Sequence, residues 1–192
     1  MAAIPGIAGI EKRLLEMQKR KDGVLAASRE MVRLAGRSIT LMHARKLAAA
    51  GSSLRKLDSL ERKMRNMEKG FEYFSMQAHQ EYVEARALSS ILKESRLVSA
   101  AELHVGGVPY LLGIMDLSGE LKREVIEAIR NGDIRAAKLY HGFMKEIYDS
   151  TRSLRFANSL VPEFRRKQDV ARIQLENADS ELLAATGGRR YV

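Results

Sequence analysis

From Gly6 to Ala50 the chain contains no proline, and its only Asx-Gly pair is Asp22-Gly23. Across that stretch Leu14, Met17, Val24, Met31, Leu34 and Met42 recur at helical spacing. Such a segment reads as one long helix, weakened but not ended at Gly23. Gly51-Ser52-Ser53 is expected to break it, with Ser53 capping a second helix from Leu54 to about Lys93 that Gly70 interrupts. Ser99 and Glu102 have capping-box spacing for a short turn. His104 to Val108, with Gly106-Gly107, reads as a loop, and Pro109 suits the first turn of the next helix. That helix is expected to run to Arg130 and stop at Asn131-Gly132-Asp133. Another should cover Ile134 to about Leu160, and a last one should run from Pro162 to about Ala185. No strand alternation and no internal repeat is visible. The expected fold is all-α, an antiparallel bundle of six or seven helices in a single domain over 1–192, with residues 1–10 and 186–192 frayed. A slender bundle leaves apolar side surface to cover, so a homo-oligomer is expected.

Charge narrows the function. The chain carries a net +9, and the whole excess lies between Glu11 and Lys69. A concentrated basic segment is the footprint of a polyanion binder; the bland alternative is a solvated helix face. Arg29, Arg33 and Arg37 stand four apart, a ladder about 12 Å long on one helix face. Arg62, Arg65 and Lys69 form a shorter row. Aromatics make up only 6% and tryptophan is absent, which argues against a stacking platform for bases. The absence of cysteine excludes disulfides, thiolate zinc sites and cysteine nucleophiles, and suits a cytoplasmic location. No run of 18 apolar residues offers a membrane span, and the apolar start lacks the basic region of a signal peptide. His43, His79, His104 and His141 are scattered, without the spacing of a zinc motif. The nine methionines read as core filler.

One feature breaks the amphipathic pattern. With Phe71 to Leu92 as a helix, Phe71, Phe74, Ala78, Ala85, Leu88 and Leu92 share a face. Glu81 falls inside that apolar sector and Glu84 at its edge. A carboxylate there must be paired, protonated or bound to a cation, and the three explanations stay open. A second acidic pair, Asp116 and Glu120, lies on the polar side of the helix from Pro109, together with Arg123, Gly113 and Gly119. Its apolar side carries Tyr110, Ile114, Leu117, Leu121 and Val125. By pattern that acidic strip is an ordinary solvent face. The functional alternative has it meet Glu81 and Glu84 across a groove, with glycine allowing close approach.

The segment Gln80-Glu81-Tyr82-Val83-Glu84-Ala85 resembles the QEYVEA stretch of the translin/TRAX family, closest to its translin-associated factor X branch. Tyr110 to Leu121 resembles that family's YLLGxxDLxGEL stretch. Arg123 and Asn131-Gly132-Asp133 match the arginine and the NGD turn that lie beyond that stretch in the family. Pro109 and Arg86 depart from the pattern, standing where the family has an aspartate and an apolar residue. The resemblance suggests a minimal, archaeal-type member. It implies an all-helical subunit of a closed, hollow oligomer, often an octamer, with single-stranded RNA, and single-stranded DNA as a second ligand, bound inside. It further implies a Mg²⁺-dependent endoribonuclease, with Mn²⁺ as a substitute ion. The catalytic and metal-binding carboxylates would be Glu81, Glu84, Asp116 and Glu120. Arg123, on the same helical face as Asp116 and Glu120, either contacts the phosphate or forms a salt bridge within the acidic strip. The competing expectation is a non-catalytic translin-like scaffold for RNA or DNA.

Overall fold

The computed structural model describes residues 6–187, and within them seven helices and no strand occur. They are α1 (Ile7–His43), α2 (Leu47–Met67), α3 (Glu72–Glu94), α4 (Ala100–Leu103), α5 (Gly107–Arg130), α6 (Ile134–Thr151) and α7 (Phe164–Ala185). Of the ends expected to fray, Ile7 to Ile10 form the first turn of α1, while residues 1–5 and 188–192 lie outside the described residues. No helix among the described residues is long and apolar enough to cross a membrane.

Helix α3 sits at the centre. It packs on α1 and, less extensively, on α2; across its other side it meets α5, which in turn carries α6 and α7. Its second half is accordingly buried nearly all round, from Ala85 through Ala87, Leu88, Ser89, Ser90 and Ile91. One large apolar cluster runs through the bundle, from Val24, Met31 and Leu57 to Leu88, Leu117, Leu121 and Ala178. A satellite cluster of Leu112, Met115, Val161 and Phe164 holds the α6–α7 connection down, with Phe156 edge-on to Phe164 at 5.1 Å.

The first break differs from expectation. Helix α1 passes through Gly23 and ends at His43, and Gly51-Ser52-Ser53 lies inside α2. The stop is a tight C-terminal turn: Lys46 N–H bonds Leu41 O at 2.9 Å and Arg45 N–H bonds Met42 O at 2.9 Å, with Arg45 left-handed at φ 57. Glycine weakens a helix without ending it, so Gly51 is tolerated. Ser53 faces the core, where its hydroxyl donates to Leu34 O rather than capping a helix. The expected interruption at Gly70 is present, with φ 83 in the turn between α2 and α3. The Ser99–Glu102 capping box is formed in both directions. Asp133 caps α6 through Ala136 N–H at 2.9 Å.

Helix α6 stops at Thr151, well short of the expected end near Leu160. Leu154 and Val161 leave the helical path to pack on Leu112 and Met115, apolar burial that a continued helix would point elsewhere. Gln168 of α7 secures this connection by donating to Thr151 O at 2.7 Å and Leu154 O at 3.2 Å. Helix α7 starts at Phe164, two residues after Pro162, with Glu163 left-handed at φ 61.

Candidate functional site

The two acidic pairs stand on helices, α3 and α5, that approach unusually closely. A Cβ on Gly113 would lie 2.6 Å from Gln80 O and 2.9 Å from Val83 Cβ, so no larger residue fits without parting the helices. Gln80 and Val83 flank Glu81, and Gly113 precedes Asp116 by three positions. The backbone contact thus sets one pair beside the other. Gly119, also expected near the groove, has open space where its Cβ would be.

Electrostatics register the convergence. Burial pushes the Glu81 carboxyl above its ordinary value, and the charges of Asp116 and Glu120 add to the effect. Burial, then Glu81, Asp116 and Glu120 in that order, push Glu84 up to about 8. The solvent-face expectation for Asp116 and Glu120 is therefore replaced: both are half-buried, at 35% and 27% side-chain exposure, and both act on α3. Burial disfavours the ionised form, and the neighbouring like charges add to it, the physical cause of both shifts.

Two cationic side chains that the sequence did not mark out complete the cluster. Lys167 of α7 donates its ammonium to Asp116 Oδ2, and its charge also lowers Glu81 and Glu84 against the upward push. His43, the last residue of α1, donates from Nε2 to Glu120 Oε2 and from Nδ1 to Glu124 Oε1, the latter at 2.7 Å. Arg45 donates to the other Glu124 oxygen at 2.7 Å. Burial works against a charge on His43, but the bonds to Glu120 and Glu124 outweigh it and raise the imidazole to about 9. Burial would likewise raise Glu124, and the bonds from His43 and Arg45 bring it below the ordinary carboxylate range.

A signal for these partners was present in the periodicity. Lys167 falls on the buried stripe of α7, between Phe164 and Ala171, and Glu124 on that of α5, between Leu121 and Ala128. A charged residue on an apolar stripe needs a partner, the same reasoning that singled out Glu81. Which partner it has is not written in the stripe.

As the side chains stand, no group of three or more His, Asp or Glu among the described residues is gathered closely enough to hold a metal ion. Asp116 is held by Lys167 and Glu120 by His43 instead. The donor set nonetheless suits a hard cation. Carboxylate oxygens are what Mg²⁺ accepts, and the upward push on Glu81 and Glu84 from burial and from the charges of Asp116 and Glu120 is relieved by positive charge.

The basic residues separate into two kinds. Arg29, Arg33 and Arg37 line the exposed side of α1, with Arg33 in a two-point ion pair to Glu30 at 2.5 and 2.7 Å. Arg62 is exposed on α2, and Lys69 is exposed in the turn after it. Arg65 turns toward the core, 2.9 Å from Glu61, whose side chain is 2% exposed. Arg123 is exposed on α5, close enough to His43 to oppose its charge.

With this geometry the chain belongs to the translin family, whose model matches residues 48–181. It is 34% identical over 105 residues to an uncharacterised protein of Methanocaldococcus jannaschii, covering 54% of this chain and 47% of that protein. It is 45% identical over 47 residues to translin-associated protein X of Pongo abelii, covering 24% of this chain and 16% of that one. The chain thus spans about half the length, or less, of these curated relatives. Among solved structures, the AfC3PO–duplex RNA complex superposes with a TM-score of 0.86 at 29% identity, covering 95% of this chain and 97% of that one. Apo-NeC3PO superposes with a TM-score of 0.87 at 24% identity, covering 96% of this chain and 100% of that one, a likeness of fold.

Proposed function

We propose that this protein is a Mg²⁺-dependent endoribonuclease that binds RNA within a homo-oligomeric shell, an octamer by family resemblance. The observation carrying this reading is the approach of Glu81 and Glu84 to Asp116 and Glu120 over the Gly113 contact. The four carboxylates would hold the ion, with Mn²⁺ as a substitute. When bound, Mg²⁺ activates water and neutralises charge on the phosphate and the leaving oxygen.

The chain's own residues do the rest. Glu84, with the strongest upward shift, gains most from a cation. Lys167 keeps a positive charge beside Asp116, next to the place a scissile phosphate must reach. Arg123, three positions beyond Glu120 on α5, offers a guanidinium to phosphate. Arg29, Arg37 and Arg62, exposed and basic, hold the backbone without reading sequence, and Lys69 adds charge at the α2–α3 turn. Duplex RNA bound to AfC3PO, a structural relative at 29% identity, supports RNA as the ligand class. The exposed apolar residues Ile7, Ile10, Leu14, Leu15 and Met17, on the part of α1 that extends past its neighbours, support burial against further copies.

A non-catalytic scaffold for single-stranded RNA or DNA is the second reading, favoured by the engagement of Asp116 with the Lys167 ammonium. One assay separates the two. Labelled single-stranded and duplex RNA are incubated with the protein in Mg²⁺, Mn²⁺ or chelator. Cleavage by the wild type that chelator stops, and that Glu84→Gln and Asp116→Asn lose by more than about 100-fold while still binding RNA, is expected. RNA bound but intact in both ions establishes the scaffold.

A further inference from the structure

His43 is placed to do more than join two helices. Its side chain is 5% exposed, at the C-terminus of α1, 77 positions before the carboxylate it bonds. Both ring nitrogens donate, one to Glu120 and one to Glu124, which are four apart and so project from the same side of α5. Glu124 is 1% exposed and is itself gripped by Arg45. The result is a chain of contacts, Arg45 to Glu124 to His43 to Glu120, whose two middle members, Glu124 and His43, are buried while Arg45 closes one end from the surface. Its other end is Glu120, whose charge, unlike that of Glu124, is among those acting on Glu81 and Glu84 of α3.

A glutamate side chain left to itself samples many rotamers, and a ligand that must be ordered on each binding event binds weakly. One bond to Oε2 restricts those rotamers and leaves the second oxygen for another partner. Carboxylates that bind metals are commonly oriented by such outer hydrogen bonds.

We propose that His43, backed by Glu124 and Arg45, is a positioning residue that orients Glu120 toward Glu81 and Glu84 for a divalent cation. The inference rests on the four-carboxylate reading above. It differs from a purely structural bridge between α1 and α5, which would affect stability and leave the cation site alone.

The test measures Mn²⁺ binding to the full-length, RNA-free protein by the loss of the free-ion electron paramagnetic resonance signal. Thermal unfolding is followed alongside. His43→Ala is expected to weaken Mn²⁺ binding about 10- to 100-fold. His43→Gln, which keeps one N–H for Glu120, should recover part of it, and Glu124→Gln should fall between them. The double variant His43→Ala/Glu120→Gln should bind no more weakly than Glu120→Gln alone, because both changes remove the same ligand. In cleavage, kcat should fall with KM for RNA unchanged.

Wild-type affinity in folded His43→Ala, or losses that multiply in the double variant, would overturn the inference. If His43→Ala does not fold, His43→Gln and Glu124→Gln decide by the same criterion. Wild type that binds no Mn²⁺ sinks the cation site itself, and this inference with it. Wild type that binds, with all His43 and Glu124 variants binding equally, sinks this inference alone.

Discussion

Lys167 on α7 donates its ammonium to the Asp116 carboxylate on α5, across 51 positions of sequence. Lys167 is 12% exposed and Asp116 35%, so the pair is sheltered on one side only. Breaking a fully buried pair costs about 3–5 kcal/mol; partial exposure of Asp116 reduces the expectation to about 1–2 kcal/mol. Lys167→Met should therefore lower the melting temperature in chelator, and Mg²⁺ should restore most of the loss by supplying the missing charge. Scanning calorimetry with and without Mg²⁺ checks this. An unchanged melting temperature in chelator would show that the pair does not hold α7 to α5.

Gly113 and Gly119 make opposite predictions from the same substitution. At Gly113 an added methyl meets a backbone carbonyl at 2.6 Å, which can yield only if α3 moves. Gly113→Ala should cost about 1–3 kcal/mol by overpacking and should reduce cleavage by separating the acidic pairs. Gly119→Ala meets nothing within 4 Å and should stabilise α5 by about 0.5–1 kcal/mol. Urea unfolding of the two variants, side by side with wild type, measures the contrast. Equal stability would contradict the close helix approach.

The pH dependence of stability has a definite sign. Glu84 is raised from 4.5 to about 8 and His43 from 6.5 to about 9. In both cases the folded state holds its proton more tightly than the unfolded chain. Their contributions are complete below the ordinary values and are lost as pH rises through the folded ones. In chelator, stability should fall between about pH 4.5 and 9, the lower part from Glu84 and the upper from His43. Glu84→Gln should flatten the lower part while abolishing cleavage, and Mg²⁺ should reduce the slope in the wild type. Chemical unfolding at about pH 5.5, 7 and 9 reads it, and stability that climbs over that interval is the contrary result.

Arg65 and Arg37 look alike in sequence and should behave differently. Glu61 is buried and raised by its burial, with Arg65 the main charge offsetting it. Arg65→Ala strands that carboxylate and should cost about 2–3 kcal/mol, below the value for a fully buried pair because Arg65 is about one-third exposed. Arg29→Ala and Arg37→Ala should leave stability unchanged and weaken RNA binding, each reducing the salt slope by about one. Filter binding over a range of salt concentrations, together with melting curves, separates the two effects. RNA affinity lost through Arg65 with full stability would reverse the assignment.

Local rules carried much of this protein. The three- and four-residue periodicity, the Ser99–Glu102 box, the Gly70 and Asn131-Gly132-Asp133 turns and the end of α5 at Arg130 are all encoded within a turn or two of chain, and they appear where those rules put them, whereas α5 begins at Gly107, inside the stretch expected to be a loop. The misplacement of Glu81 on an apolar face was legible for the same reason. Tertiary structure decided the rest. Helix α1 stops at His43 rather than Gly51, with Arg45 in a left-handed turn and its guanidinium on Glu124, 79 positions away. Helix α6 ends early because Leu154 and Val161 find apolar partners on α5. Asp116 and Glu120 leave the expected solvent face because Gly113 lets α3 come within contact of the α5 backbone, and α7 brings Lys167 to meet them. Periodicity states which side of a helix is apolar; which charged group stands opposite depends on how separate helices pack, and no short window of sequence contains both partners.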